Sequence, residues 1–150
     1  MELDPSEAYE LRRNWRKNWL TCLFEFSCRE LQQQSWLTGS GEWVSSYVEC
    51  MCTYFDDLAI NDGYESVLVE GLLTRKEASL VRHFHAKADA YEEPEGDQYD
   101  EEAILADPAW QEVVAAAQAA WSSLKAVLSD PEELALVSAL EAGTWKARQS

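Results

Sequence analysis

Three Asp-Pro pairs, Asp4-Pro5, Asp107-Pro108 and Asp130-Pro131, constrain the fold of this chain more than any other feature. An aspartate just ahead of a helix accepts hydrogen bonds from amides that have no partner in the first turn. A proline in the first helical position gives up an N–H that would have gone unpaired there. Each pair therefore predicts a helix start. Glu7 and Glu133 stand three residues after Asp4 and Asp130, where a reciprocal capping box places its acid, and Thr74-Arg75-Lys76-Glu77 is a fourth signal of the same kind.

Between these starts the apolar residues recur mostly at intervals of three and four, the period of an amphipathic helix. Leu11, Trp15, Trp19, Leu20, Cys22, Leu23, Phe26, Leu31 and Trp36 predict one long helix from Pro5 to about Leu37, with a break near Ser27 and an end at Gly39-Ser40-Gly41. A second helix is expected through Trp43, Val44, Tyr47, Val48, Met51, Tyr54, Phe55 and Leu58 to Ile60. After the Asn61-Asp62-Gly63 turn comes a short helix between Tyr64 and Leu73, then a longer one from about Arg75 to Tyr91 that buries Ala78, Leu80, Val81, Phe84 and Ala88. Glu92 to Asp107 is dense in acid, contains Pro94 and Gly96, and reads as an exposed loop with one helical turn at Glu101 to Leu105. Two stripes finish the pattern, Trp110 to Leu128 and Leu134, Val137 and Leu140, with Gly143 as a C-cap. The expected fold is all-α, a single-domain bundle of five to seven helices over residues 1–143, with 144–150 as a frayed tail.

A chain of 150 residues that is 47% hydrophobic can bury a core without a metal or a disulfide framework, so Cys22, Cys28, Cys50 and Cys52 are expected to be reduced and mostly buried. The charge balance is less ordinary, with 28 acidic residues against 12 basic ones and a net charge of -16. Such a field disfavours nucleic acid and anionic lipid, because binding to phosphate-rich partners is driven by lysine and arginine. No stretch is long and apolar enough to span a bilayer, and the start of the chain has no basic segment leading into an apolar run. A cytoplasmic protein is expected.

Catalytic and metal motifs fail on spacing. His83 and His85 lie two apart on a predicted helix, where their imidazoles diverge, unlike the i, i+4 pair that shares a zinc. Placing Gly63 at the sixth position of a calcium loop would put Leu58, Ile60 and Val69 where oxygen ligands belong. There is no Gly-x-Ser-x-Gly elbow and no glycine-rich phosphate loop. The expectation is a protein without a cofactor, a metal or a catalytic centre.

Charge distribution is the one feature with direction. Residues 39–73 hold seven acidic groups and no lysine or arginine, and residues 74–110 hold ten acidic groups against four basic ones. The candidate binding residues are Asp56, Asp57, Asp62 and Glu65 together with Glu92, Glu93, Glu95, Asp97, Asp100, Glu101 and Glu102 in the loop. Trp36, Tyr91 and Tyr99 are the candidate aromatic anchors at the rim, and Trp145 in the tail is a further exposed candidate. The partner this implies is a basic protein.

Trp36-Leu37-Thr38-Gly39, Tyr54-Phe55-Asp56-Asp57-Leu58, the Glu77 to Phe84 helix, Asp107-Pro108-Ala109-Trp110 and Val113-Val114-Ala115-Ala116-Ala117 carry a resemblance. Together, over about Leu31 to Leu128, they resemble small acidic helical bacterial proteins, some of which look like immunity proteins of polymorphic or contact-dependent toxins. The resemblance implies an inhibitor that covers the active cleft of a toxin, commonly a basic nuclease, with acidic groups. Two alternatives stand beside it: an acidic chaperone or adaptor for a secreted effector, and an enzyme using acidic residues with Mg²⁺.

Overall fold

The computed structural model describes residues 4–39, 41 and 43–146. All regular structure among them is helical: α1 (Pro5–Ser27), α2 (Arg29–Gln32), α3 (Tyr47–Cys52), α4 (Glu65–Val69), α5 (Arg75–Ala90), α6 (Glu101–Ala106), α7 (Pro108–Val127) and α8 (Pro131–Glu141). Wider π turns prolong α2 through Gln33–Thr38 and α3 through Thr53–Asp57, and Pro94–Gly96 forms one 3-10 turn. The fold is an all-α bundle, with eight α-helices among the described residues where five to seven were expected. The extra one comes from Cys28, whose extended backbone (φ -114°, ψ 98°) separates α2 from α1. Gln32 and Gln118 make this break tolerable. The Gln32 amide donates to the carbonyls of Glu25 (2.8 Å) and Phe26 (3.0 Å) and accepts from Trp110 Nε1, while Gln118 donates to the carbonyl of Ser27. Carbonyls left over at a buried helix end are thus satisfied by side chains.

The Asp-Pro starts are where the sequence places them. Asp4 accepts from the amides of Ser6 and Glu7, Asp107 from Ala109, and Asp130 from Glu132 and Glu133. Thr74 and Glu77 form the full reciprocal box. Glu7 and Glu133 do not, and the Glu133 carboxylate is bound to Arg16 instead. Upstream of α3 the expected helix start at Trp43 is corrected. Residues 43–46 are not helical and Val44 is exposed, because Ser46 caps the helix by accepting from the Glu49 amide.

α1 runs through the centre, with α7 lying along both α1 and α5. Phe26 joins four helical segments through ring contacts with Tyr54 (5.4 Å), Phe84 (5.0 Å) and Trp110 (5.9 Å). Burial of each such side chain contributes about 1.5–3 kcal/mol. Midway along α1, buried Arg16 closes the bundle. Its five N–H groups make five hydrogen bonds, to both oxygens of Glu77 on α5, both oxygens of Glu133 on α8 and the Leu72 carbonyl. Burial by itself weakens Arg16's hold on its proton. The Glu77 and Glu133 carboxylates outweigh burial, and its pKa lies above the ordinary arginine value.

The expectation of a frayed tail is corrected for residues 144–146. The chain turns after Gly143 and returns Trp145 to the core, where it lies 6.1 Å from the Phe24 ring and donates to the Leu140 carbonyl. The Trp145 carbonyl accepts from Gln34, and both approach Gly41 so closely that a side chain there would collide with them. Residues 147–150 lie outside the described residues.

Candidate functional site

The acidic loop is tied to the bundle at both ends and in its middle. Tyr91, at the C-terminus of α5, donates its hydroxyl to Asp107 (2.9 Å), whose other oxygen caps α7. Glu93 accepts from the Tyr47 hydroxyl and Glu101 accepts from the Tyr47 amide, each at 2.8 Å. Glu101 therefore places a negative charge at the first turn of α3, where unpaired amides favour one. Asp97 accepts from the Tyr99 amide, and Asp100 caps α6.

These contacts sort the candidate residues. Tyr91, Glu93 and Glu101 are partly buried and position the loop. Glu92, Glu95, Asp97, Asp100 and Glu102 are exposed, as is Tyr99 at 74%. Trp36 is corrected: it is no rim anchor. The widened turn after α2 directs its indole inward between Tyr47 and Trp110, and its Nε1–H donates to Glu25 at 2.9 Å.

Asp56, Asp57, Asp62 and Glu65 are all exposed. The loop is fastened at Tyr47, and Asp56 and Asp57 end the same helical run roughly 15 Å further on, at about 1.5 Å per residue. None of the eleven acidic candidates has an ion-pair partner among the described residues. The described ion pairs use Glu10, Glu30, Glu77, Glu112, Glu132, Glu133 and Glu141 instead.

Asp57 reaches a feature that sequence reasoning missed, a groove of about 450 Å³ between α1 and the segment from Trp43 to Leu58. Glu25 lines it and is only 5% exposed. Burial pushes the Glu25 pKa above the usual carboxylate range, hydrogen bonds from Trp36 and Ser45 offset part of the rise, and the nearby Glu49 charge adds to it. An acid flanked by Leu23, Phe24 and Phe26 is the signal that the sequence offered.

His83 is exposed, while His85 is partly buried at the end of a hydrogen-bond chain. Trp19 Nε1–H donates to the Tyr64 hydroxyl (3.0 Å), Tyr64 meets Tyr54 (2.7 Å), and Tyr54 meets His85 Nδ1 (2.9 Å). Burial lowers the His85 pKa against the opposing pull of Asp89. The cysteines are free thiols, Cys22 and Cys50 buried, Cys28 partly buried and Cys52 exposed. Among the described residues no helix is long and apolar enough to cross a membrane.

No protein-family model matches the chain, and no match was found among curated proteins or among solved structures.

Proposed function

We propose that this chain is a stoichiometric inhibitor of a basic protein, acting as an immunity protein does by covering a positively charged cleft of a cognate bacterial toxin. The observation that carries this reading is the uncompensated charge. Among the described residues, eleven acidic side chains on the α3–α4 region and the loop have no ion-pair partner, whereas Glu10, Glu30, Glu77, Glu112, Glu132, Glu133 and Glu141 are paired. Such a surface steers a basic partner in diffusional encounter, and its internal ties let the loop bind with little further ordering. Tyr99 supplies an exposed aromatic contact within the charged loop.

The test is co-expression with the product of the neighbouring gene, followed by association kinetics of the purified complex at low and high salt. Neutralising Glu95, Asp97 and Glu102 together is expected to slow association about tenfold at low salt and to flatten the salt dependence. Absence of a complex, or binding indifferent to both salt and these substitutions, would sink the reading.

A further inference from the structure

We propose that the groove beside α1 receives a single basic side chain, arginine or lysine, from the protein partner. Glu25 forms its floor, Glu49 and Asp57 its rim, and Trp15 and Trp43 its aromatic walls. This rests on the reading of the chain as a binder of a basic protein and names the place where one contact of that complex is made.

The first support is charge. Glu25, Glu49 and Asp57 line the groove with no lysine or arginine among its lining residues, and none of the three has an ion-pair partner among the described residues. The cavity of about 410 Å³ beside Arg16 is the internal contrast, since there Arg12, Arg16 and Lys76 balance Glu77, Asp130 and Glu133. A buried carboxylate is costly unless a cation meets it, and Glu25 has only neutral donors. Its position on the groove lets that cation come from outside.

The second support is shape. A volume of about 450 Å³ falls within the range of ligand pockets, about 300–1,000 Å³. Its tryptophans are held before any ligand arrives. Trp15 stacks on Trp19 at 5.7 Å and donates to the Leu58 carbonyl at 3.1 Å, while Trp43 packs on Phe24 and its carbonyl accepts from Ser35 at 2.7 Å. Indole faces attract guanidinium and ammonium groups, and pre-set walls reduce the ordering cost of binding.

The experiment follows the indole N–H resonances of Trp15 and Trp43 during titration of the full chain with the blocked peptides Gly-Arg-Gly, Gly-Lys-Gly and Gly-Ala-Gly. The arginine and lysine peptides are expected to give saturable shifts that the alanine peptide does not. The double variant Glu49→Gln, Asp57→Asn, both exposed and so harmless to folding, is expected to weaken binding about tenfold. Glu25→Gln is expected to weaken it as well, with its circular dichroism unchanged. Equal shifts with the alanine peptide, or no effect of the rim variant, would overturn the proposal. Tighter saturation by free spermidine than by the arginine peptide would overturn its assignment to a protein side chain. With the partner itself, weakening by loop neutralisation but not by the rim variant removes the groove and leaves the inhibitor reading standing. Indifference to both removes both.

Discussion

Two sites along α1 bury carboxylates in opposite ways. At its midpoint, Glu77 and Glu133 close on Arg16, and every N–H of the guanidinium is used. Near its end, Glu25 is just as buried but meets an indole N–H and no cation. The two sites have opposite consequences for titration. Burial alone would raise the Glu77 pKa, but hydrogen bonds from Arg16 bring it below the ordinary value, whereas the Glu25 pKa remains above it. A buried acid whose cation lies within the chain holds helices together, and one on an open groove without a cation is left for an outside cation to meet.

The contrast is most sharply tested by Arg16→Met. It leaves two buried acids without their cation, and a loss of about 3–5 kcal/mol is expected in urea unfolding. A loss below about 1 kcal/mol would mean that the triad is not what closes the bundle. Next in size is Trp36→Phe, which keeps the ring contacts but removes the one indole donor to Glu25. A cost of about 1–3 kcal/mol is expected in urea unfolding. Weaker partner binding without loss of stability would return Trp36 to the rim.

The smallest effect is a pH slope. Because the folded pKa of Glu25 is raised, the native state binds more protons above the unfolded value of about 4.3. The contribution of Glu25 is therefore fully present below that pH and is lost as pH rises through its folded pKa. Glu25→Gln removes this loss, so its stability relative to the parent is expected to grow from pH 4 to pH 7 in urea unfolding. Glu77 has the opposite sign, its contribution being present above its unfolded value and lost as pH falls. A relative stability of Glu25→Gln that declines with pH would erase the distinction between the two sites.

What was readable in the sequence, and what was not, follows the range of the interactions. Asp4, Asp107, Asp130 and Thr74 cap helices through bonds two or three residues long, and a local pattern reports a local bond. Ser46-Tyr47-Val48-Glu49 contained the same signal, yet the apolar run through Trp43 and Val44 hid it. That run does not reach the core as a helix, and Val44 is 72% exposed. Leu134, expected on the apolar stripe of α8, is exposed while Glu133 beside it is buried, because Arg16 draws the acid inward. Trp36 misled for a related reason. A tryptophan ahead of a glycine turn reads as a rim residue until a π turn and a buried acid claim it.

By itself, the sequence determined the helical class, most of the helix starts, the break near Ser27 and the concentration of acid from residue 39 to 110, all of which rest on near neighbours or on composition. Only the tertiary structure decided which acids are spent and which are left over. Arg16 lies 61 residues from Glu77 and 117 from Glu133, and no local pattern links such partners. The same holds for Glu25, Glu49 and Asp57, whose shared groove exists only once α1 and the Trp43–Leu58 segment are packed together.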